Sequence, residues 1–303
     1  MTGRILVTGA TGAQGGAVAL ALHRMRPDVV ALVRDPESQP ARALAARGVP
    51  LVVGDLDTPS TLDVACSGCT AVFSVQAAGG AERRHARNLI DAAQRAGVAH
   101  LVHTSVSATG WRAARPEVDV DDTLRHYWDS KEDVEAMVRD ADVDVYTILK
   151  PALMMENFVA PKAAWMFPLL ADRELPVATA PSTAVALISA ADIGAAAAAA
   201  IADPQRFAGA EIELGGDLLT FPEIAETITK ATGRTVSVSC LSREEADARF
   251  GRASWASTQA WFDVVGYAAR QRHAAPYDLV LTSFERWADQ HRDELMAATE
   301  RAG

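Results

Sequence analysis

The sequence predicts an α/β protein: a doubly wound parallel sheet with a smaller, discontinuous α+β domain toward the C-terminus. Three observations lead there. Short β-branched runs alternate with helical stretches through the first half, a glycine-rich turn follows the first run directly, and the alternation loosens after Pro151. Strands recurring with helices between them imply right-handed crossovers and a parallel sheet.

Strands are expected at 4–9 (RILVTG), 29–34 (VVALVR), 49–55 (VPLVVGD), 70–76 (TAVFSVQ), 100–105 (HLVHTS) and 143–150 (VDVYTILK), with helical segments between them such as 81–98. After Pro151 the chain reads ALMMENFVAPKAAWMFPLLADRELP, rich in proline and large apolar side chains, and a substrate-covering region is expected to start there. The alanine-rich helix near 190–202 and the strand AEIELGG (210–216) are expected to rejoin the sheet. One domain is therefore expected over 1–153 joined by about 184–214, and a smaller one over 154–183 and 215–303. The tail reads as a helix over 220–233, a strand over 235–240 and helices ending in 283–298. No internal repeat or Gly/Ser linker interrupts it.

With 303 residues, 49% of them hydrophobic and 22% charged, the chain can bury a large core. A net charge of -10 disfavours non-specific nucleic-acid binding, because phosphate backbones are held by clustered Lys and Arg. The expected partner is a small-molecule substrate, with a homodimer or a protein partner also compatible. The apolar run from Thr183 to Ala202 contains Asp192 and Gly194, and an unpaired carboxylate is costly in lipid, so it reads as a buried helix and not a membrane span. Met1 leads straight into a strand without a signal segment, which predicts the cytoplasm. Cys66 and Cys69 form the only close cysteine spacing. With no second ligand pair to complete a zinc site, they read as the end of a helix before a strand, and no metal is expected.

The turn VTGATGAQGG (7–16) lies between a strand and a helix, as a phosphate-binding loop requires. Gly9, Gly12 and Gly15 can make the tight turn, admit a pyrophosphate to the backbone N–H groups, and let the helix pack closely on the strand. The second strand ends at Arg34, 19 residues beyond Gly15, where dinucleotide folds meet the adenosine ribose. Arginine there pairs with a 2′-phosphate, whereas an acid accepts from a 2′-hydroxyl; Arg34 preceding Asp35 favours NADP over NAD. Asp55, in GDLD after the third strand, can accept from the adenine amino group or cap the helix that starts near Pro59.

Tyr127 and Lys131, in HYWDSK (126–131), stand four residues apart and so share one helix face. A neighbouring ammonium favours the phenolate and would draw the tyrosine toward the working pH range. Such a tyrosine can protonate a carbonyl oxygen while a nicotinamide delivers hydride, and the lysine can hold the nicotinamide ribose. Ser105 and Ser107 are both available to steady the carbonyl oxygen. The bland alternative is that His126, Tyr127 and Trp128 form an aromatic patch that packs the helix.

With these features in order, and with ILKPALMMENF (148–158), ISAADIGAAAAAA (188–200) and GDLLTFPEIA (216–225) following, the sequence resembles the NmrA-like family of atypical short-chain dehydrogenase/reductases. The likeness fades only in about the last 60 residues. It implies a Rossmann domain binding NADP (NADPH) and a small substrate domain, with a cleft between them. It also implies that Gly9, Thr11, Gly12, Gln14, Gly15 and Arg34 hold the cofactor's phosphates, with Met155, Glu156 and Asn157 near the nicotinamide. Ala13, Asp55, Leu56, Gln76 and Lys131 complete the expected cofactor-binding set. The family includes reductases, quinone reductases among them, and cofactor-sensing regulators without turnover. In several regulators the position four before the lysine is not tyrosine, so Tyr127 points to catalysis. Lys150 departs from the arginine that commonly precedes the proline. The expected function is thus an NADPH-dependent oxidoreductase acting on a small apolar carbonyl, enone or quinone, with Tyr127, Lys131 and Ser105 catalytic. The alternative is a non-enzymatic NADP(H) redox sensor acting through a protein partner.

Overall fold

Strands covered on both faces read as continuous apolar runs, and the first strands of this chain show the result. In β1 (Arg4–Val7), Ile5 and Val7 point to one side of the sheet and Leu6 to the other, all fully buried. The computed structural model describes residues 3–26, 28–251 and 258–301. In chain order the first part runs β1, α1 (Ala13–Met25), β2 (Val29–Val33), α2 (Gln39–Ala46), β3 (Leu51–Val53), α3 (Pro59–Cys66), β4 (Cys69–Ser74), α4 (Glu82–Arg95), β5 (His100–Thr104), α5 (Trp111–Ala114), α6 (Asp122–Arg139) and β6 (Val145–Pro151). It continues with β7 (Leu153–Met154), α7 (Ala163–Met166), β8 (Glu174–Val177), β9 (Ala184–Ile188), α8 (Ala190–Ala202), β10 (Ala210–Leu214), β11 (Asp217–Thr220), α9 (Phe221–Thr232), β12 (Ser237–Cys240), α10 (Arg243–Phe250), α11 (Trp261–Val264), α12 (Gln271–Ala274), α13 (Phe284–Gln290) and α14 (Arg292–Ala298).

Seven parallel strands form the main sheet in the order β10-β6-β5-β4-β1-β2-β3. The chain winds outward from β1 to β3 and then returns to the other side of β1 at β4. That reversal leaves a crevice at the carboxyl ends of β1 and β4, the place where open α/β sheets bind ligands. Helices α1 and α8 cover one face, with Val18, Leu22, Ile193 and Ile201 in the core beneath them. Leu62, Leu89, Ile90 and Val138 of α3, α4 and α6 cover the other face.

The alanine-rich segment is α8, buried against α1, and its Asp192 carboxylate accepts from the Thr282 backbone N–H (2.8 Å) and hydroxyl (2.9 Å). Among the described residues, no helix is long and apolar enough to cross a membrane. As expected, β10 joins the main sheet beside β6; β9, a strand not singled out in the sequence, does not. It pairs with β7 and β11 in a separate three-stranded sheet, and β12 pairs with β8. A second core lies there, built on a stacked Phe158–Phe167 pair with ring centroids 4.6 Å apart and on Phe284 and Trp287.

Candidate functional site

The glycine turn leaves β1 at the crevice. Gly9 has φ +58°, and a Cβ on it would sit 2.5 Å from Val75 Cγ1, so neither the conformation nor the space suits a larger residue. A Cβ on Gly15 would press onto the carbonyl oxygens of Gly9 and Thr8, which is how α1 comes so close to the strand. The Gly12 N–H donates to Gly9 O and the Gly16 N–H to Gly12 O, both at 2.9 Å. The N–H groups of Ala13, Gln14 and Gly15 have no partner among the described residues, and no side chain caps α1. Three free donors at the positive end of a helix make an anion site.

Around this turn lies a cleft of about 470 Å³, within the range of small-molecule sites. It brings together Gly9, Thr11, Gly12, Ala13, Gln14, Gly15, Arg34, Asp55, Leu56, Gln76, Glu156 and Asn157, every residue the sequence nominated for the cofactor except Lys131 and Met155. Arg34 is exposed and makes no ion pair among the described residues, whereas an Asp35 oxygen already accepts from the Glu37 N–H at 2.8 Å. Asp55 accepts from the Asp57 N–H (2.9 Å) and does not cap α3, whose N-cap is Thr58. Gln76 donates to Ser74 Oγ (3.0 Å), and its buried Oε1 has no partner among the described residues.

A second cavity, also about 470 Å³, adjoins the cleft, and Gln14, Gln76, Met154, Asn157 and Lys162 line both. Gln14 is held at the junction, accepting from Thr104 Oγ1 (2.8 Å) and donating to Met154 Sδ (3.4 Å). Asp121 caps α6 by accepting from the Leu124 N–H at 3.0 Å, and one face of that helix presents Tyr127, Trp128 and Lys131 to the second cavity. Trp165, Trp261, Phe262 and Tyr267 complete an aromatic wall. Of the large apolar side chains in the expected substrate-covering region, Met154, Trp165 and Met166 line the cavity, while Met155, Phe158, Phe167 and Leu170 belong to the core. The aromatic-patch alternative holds in part: Tyr127 meets Trp128 edge-on at 5.3 Å, but His126 is exposed.

One expectation is corrected. Lys131 Nζ lies 5.6 Å from the Tyr127 ring centroid but is paired with Glu82 Oε1 at 2.5 Å, and Ser130 Oγ donates to the other Glu82 oxygen at 2.8 Å. With its charge matched, the ammonium does not acidify the phenol. Burial first, and the Glu82 carboxylate second, push Tyr127 above its ordinary pKa. Tyr267 is raised likewise, by burial and then by Tyr127.

The two candidate serines separate. Ser107 is fully buried and turned away, its Oγ accepting from the Ala269 N–H at 3.0 Å, whereas Ser105 lines the aromatic cavity. Ser105 Oγ donates to Glu135 Oε1 at 2.6 Å. Glu135 Oε2 in turn faces Arg139 at 2.8 Å and Lys150 at 3.1 Å, and Lys150 also reaches Glu211 at 2.7 Å. Burial alone would lower the Lys150 ammonium, but Glu211 and Glu135 together hold it above its usual value. Arg139, bonded to Glu211, is the main reason that carboxyl is held down to about 2. Lys150 therefore anchors an ion cluster behind Ser105, in which Glu135 and Lys150 are buried and Arg139 and Glu211 are exposed.

Glu156 lies in the 3-10 turn Met155–Phe158, accepts from the Ala190 N–H (2.9 Å) and Trp287 Nε1 (3.3 Å), and is raised by burial. Cys66 ends α3 and Cys69 begins β4; burial pushes the Cys66 thiol up to about 12, which keeps it protonated at neutral pH. Glu82, Glu135, Lys162, Trp261 and Tyr267 carry no local motif, and sequence reasoning missed them. Only the sheet topology brings them to the site.

A model of the NmrA-like family matches residues 1–271. Quinone oxidoreductase 2 of Escherichia coli (strain K12) is 30% identical over 248 residues, 80% of this chain and 79% of that protein. The NAD(P)H azoreductase of Xenophilus azovorans is 31% identical over 248 residues, 80% of this chain and 78% of that protein. A crystal structure of an NADPH-dependent quinone oxidoreductase from Escherichia coli, complexed with NADPH, matches with a TM-score of 0.74 at 26% identity, covering 94% of this chain and 99% of that one. Together with the crevice at the switch point and the glycine turn within it, the match over residues 1–271 shows that this chain belongs to the NmrA-like family.

Proposed function

We propose that the chain is an NADPH-dependent reductase of a small apolar carbonyl, enone or quinone. One observation carries this reading: the aromatic cavity holding Tyr127 and Lys131 shares a wall with the glycine-turn cleft. The residues present fit a dinucleotide phosphate. Ala13, Gln14 and Gly15 offer free N–H groups, and the exposed Arg34 offers a bidentate partner for a 2′-phosphate while Asp35 is occupied by its own turn. Gln76 Oε1 offers an acceptor lacking a partner at the junction, and Asp55 and Leu56 border the far end of the cleft.

When bound, the reduced cofactor supplies the reducing equivalent. The chain's own residues bind and orient the acceptor. Trp128, Trp261, Phe262 and Tyr267 exclude water and favour a flat apolar molecule. Tyr127, protonated because its phenol is raised, serves as a hydrogen-bond and proton donor to the acceptor oxygen, not as a phenolate base. Lys131, fixed beside it by Glu82, offers its remaining N–H donors to the cofactor ribose. The name of the Escherichia coli relative, a quinone oxidoreductase, supports an acceptor of the quinone type. The test is NADPH consumption by the purified protein with a panel of quinones, enones and aldehydes. A reductase accelerates it with at least one acceptor and does so faster with NADPH than with NADH; consumption no faster than in protein-free controls sinks the proposal.

A second reading, an NADP(H) sensor acting through a protein partner, is favoured by the Lys131–Glu82 pair, which leaves Tyr127 without an acidifying neighbour. A sensor binds the two cofactor forms with different affinities and couples that difference to a second surface. Equal affinities together with turnover remove it.

A further inference from the structure

The hydrogen of the Ser105 hydroxyl is already placed. Glu135 faces Arg139 and Lys150 and, as a carboxylate, can only accept, so the 2.6 Å contact with Ser105 Oγ is one in which the serine donates. The Ser105 N–H is also spent, on Leu149 O at 2.8 Å. With its hydrogen so engaged, the Ser105 hydroxyl can offer the aromatic cavity it lines only a lone pair. A bare carbonyl oxygen set against it would meet another acceptor, whereas an amino or hydroxyl group would find its partner.

We infer that Glu135 is a positioning residue that fixes Ser105 as an acceptor, and that the cavity thereby selects flat aromatic substrates carrying an N–H or O–H donor. The inference rests on reading the aromatic cavity as the substrate site. It reverses the role that the sequence suggested for Ser105, since a hydroxyl held in this way does not steady a developing oxyanion. Acceptor-side donation is left to Tyr127. The ion pairs of the buried Glu135 with the buried Lys150 and the exposed Arg139 explain the rigidity: turning the Ser105 hydrogen into the cavity would leave a Glu135 oxygen unpaired in a buried setting.

The test measures binding, so it stands apart from turnover. Aminonaphthoquinone and its N,N-dimethyl analogue are titrated into the NADP+-loaded protein, read by quenching of the tryptophans that line the cavity. The amino compound is expected to bind about tenfold more tightly, the scale of one buried hydrogen bond. In Ser105→Ala the preference falls to within about twofold. In Glu135→Gln, whose amide can donate to Ser105 and release its hydrogen to the cavity, it falls to parity or inverts. Equal binding by the unmodified protein, or a tenfold preference that survives Ser105→Ala or a folded Glu135→Gln, overturns the inference. If the preference appears but no acceptor is reduced, the reductase proposal falls and this inference stands; if quinones are reduced with no preference, the reverse holds.

Discussion

Lys131 Nζ lies 2.5 Å from Glu82 Oε1, and both side chains are buried, so the lysine of the Tyr-Lys pair is bound to a carboxylate 49 residues upstream. Removing one partner of such a pair strands the other charge in a poorly solvated place. Glu82→Gln is expected to cost about 3 kcal/mol in urea unfolding at neutral pH. The same change removes a carboxylate that raises Tyr127, so the phenol should titrate lower, as read by ultraviolet difference titration against Glu82→Gln/Tyr127→Phe. An unchanged phenol titration would show that burial alone sets it.

Arg34 supplies the second prediction. It is exposed at the edge of the cleft, without an ion-pair partner among the described residues, while Asp35 is engaged in its own turn. Arg34→Ala should lower the preference for NADPH over NADH by roughly 10- to 100-fold, the scale of hydrogen bonds to a charged group, with little change in NADH affinity. Equal losses for both cofactors would place Arg34 elsewhere than at the 2′-phosphate.

A third prediction concerns acid. His100 and His103 are buried on β5, and burial is the main cause that pushes them down to about 4 and about 3; for His103 the Lys131 charge adds to it. Their unfolded forms take up protons near 6.5 while the folded forms do not, so stability is whole above that pH and declines as pH falls toward 4 and then 3. At pH 5 the loss should be roughly 2 kcal/mol per histidine. Glu211, held down to about 2, adds its own loss only below about pH 4.5, so the decline between pH 7 and 5 belongs to the histidines. Urea midpoints at pH 7.5 and pH 5 measure it, and identical midpoints would contradict the account.

Much of this was legible because it is local. The glycine turn, the burial of strands such as Val29–Val33, and the shared face of Tyr127 and Lys131 follow from spacing alone. The pairing of β9 was not legible, because Ala184–Ile188 is apolar enough for either sheet and only its β7 and β11 partners settle its place. Nor was the state of the site. Spacing puts Lys131 near Tyr127, but Glu82 decides what the lysine's charge does; the loop that leaves β5 offers two serines, but Glu135 and the Ala269 N–H decide how each hydroxyl is engaged. Partners 30 to 162 residues away leave no periodic trace.

If Tyr127 acts on an acceptor bound beside the cofactor cleft, steady-state NADPH oxidation by Tyr127→Phe will register its loss. With the best acceptor from the panel, kcat should fall about 100-fold while NADPH affinity stays within about twofold, since removing the hydroxyl leaves the glycine turn and Arg34 untouched. A Tyr127→Phe protein that oxidises NADPH as fast as the unmodified one with the same acceptor would contradict the account.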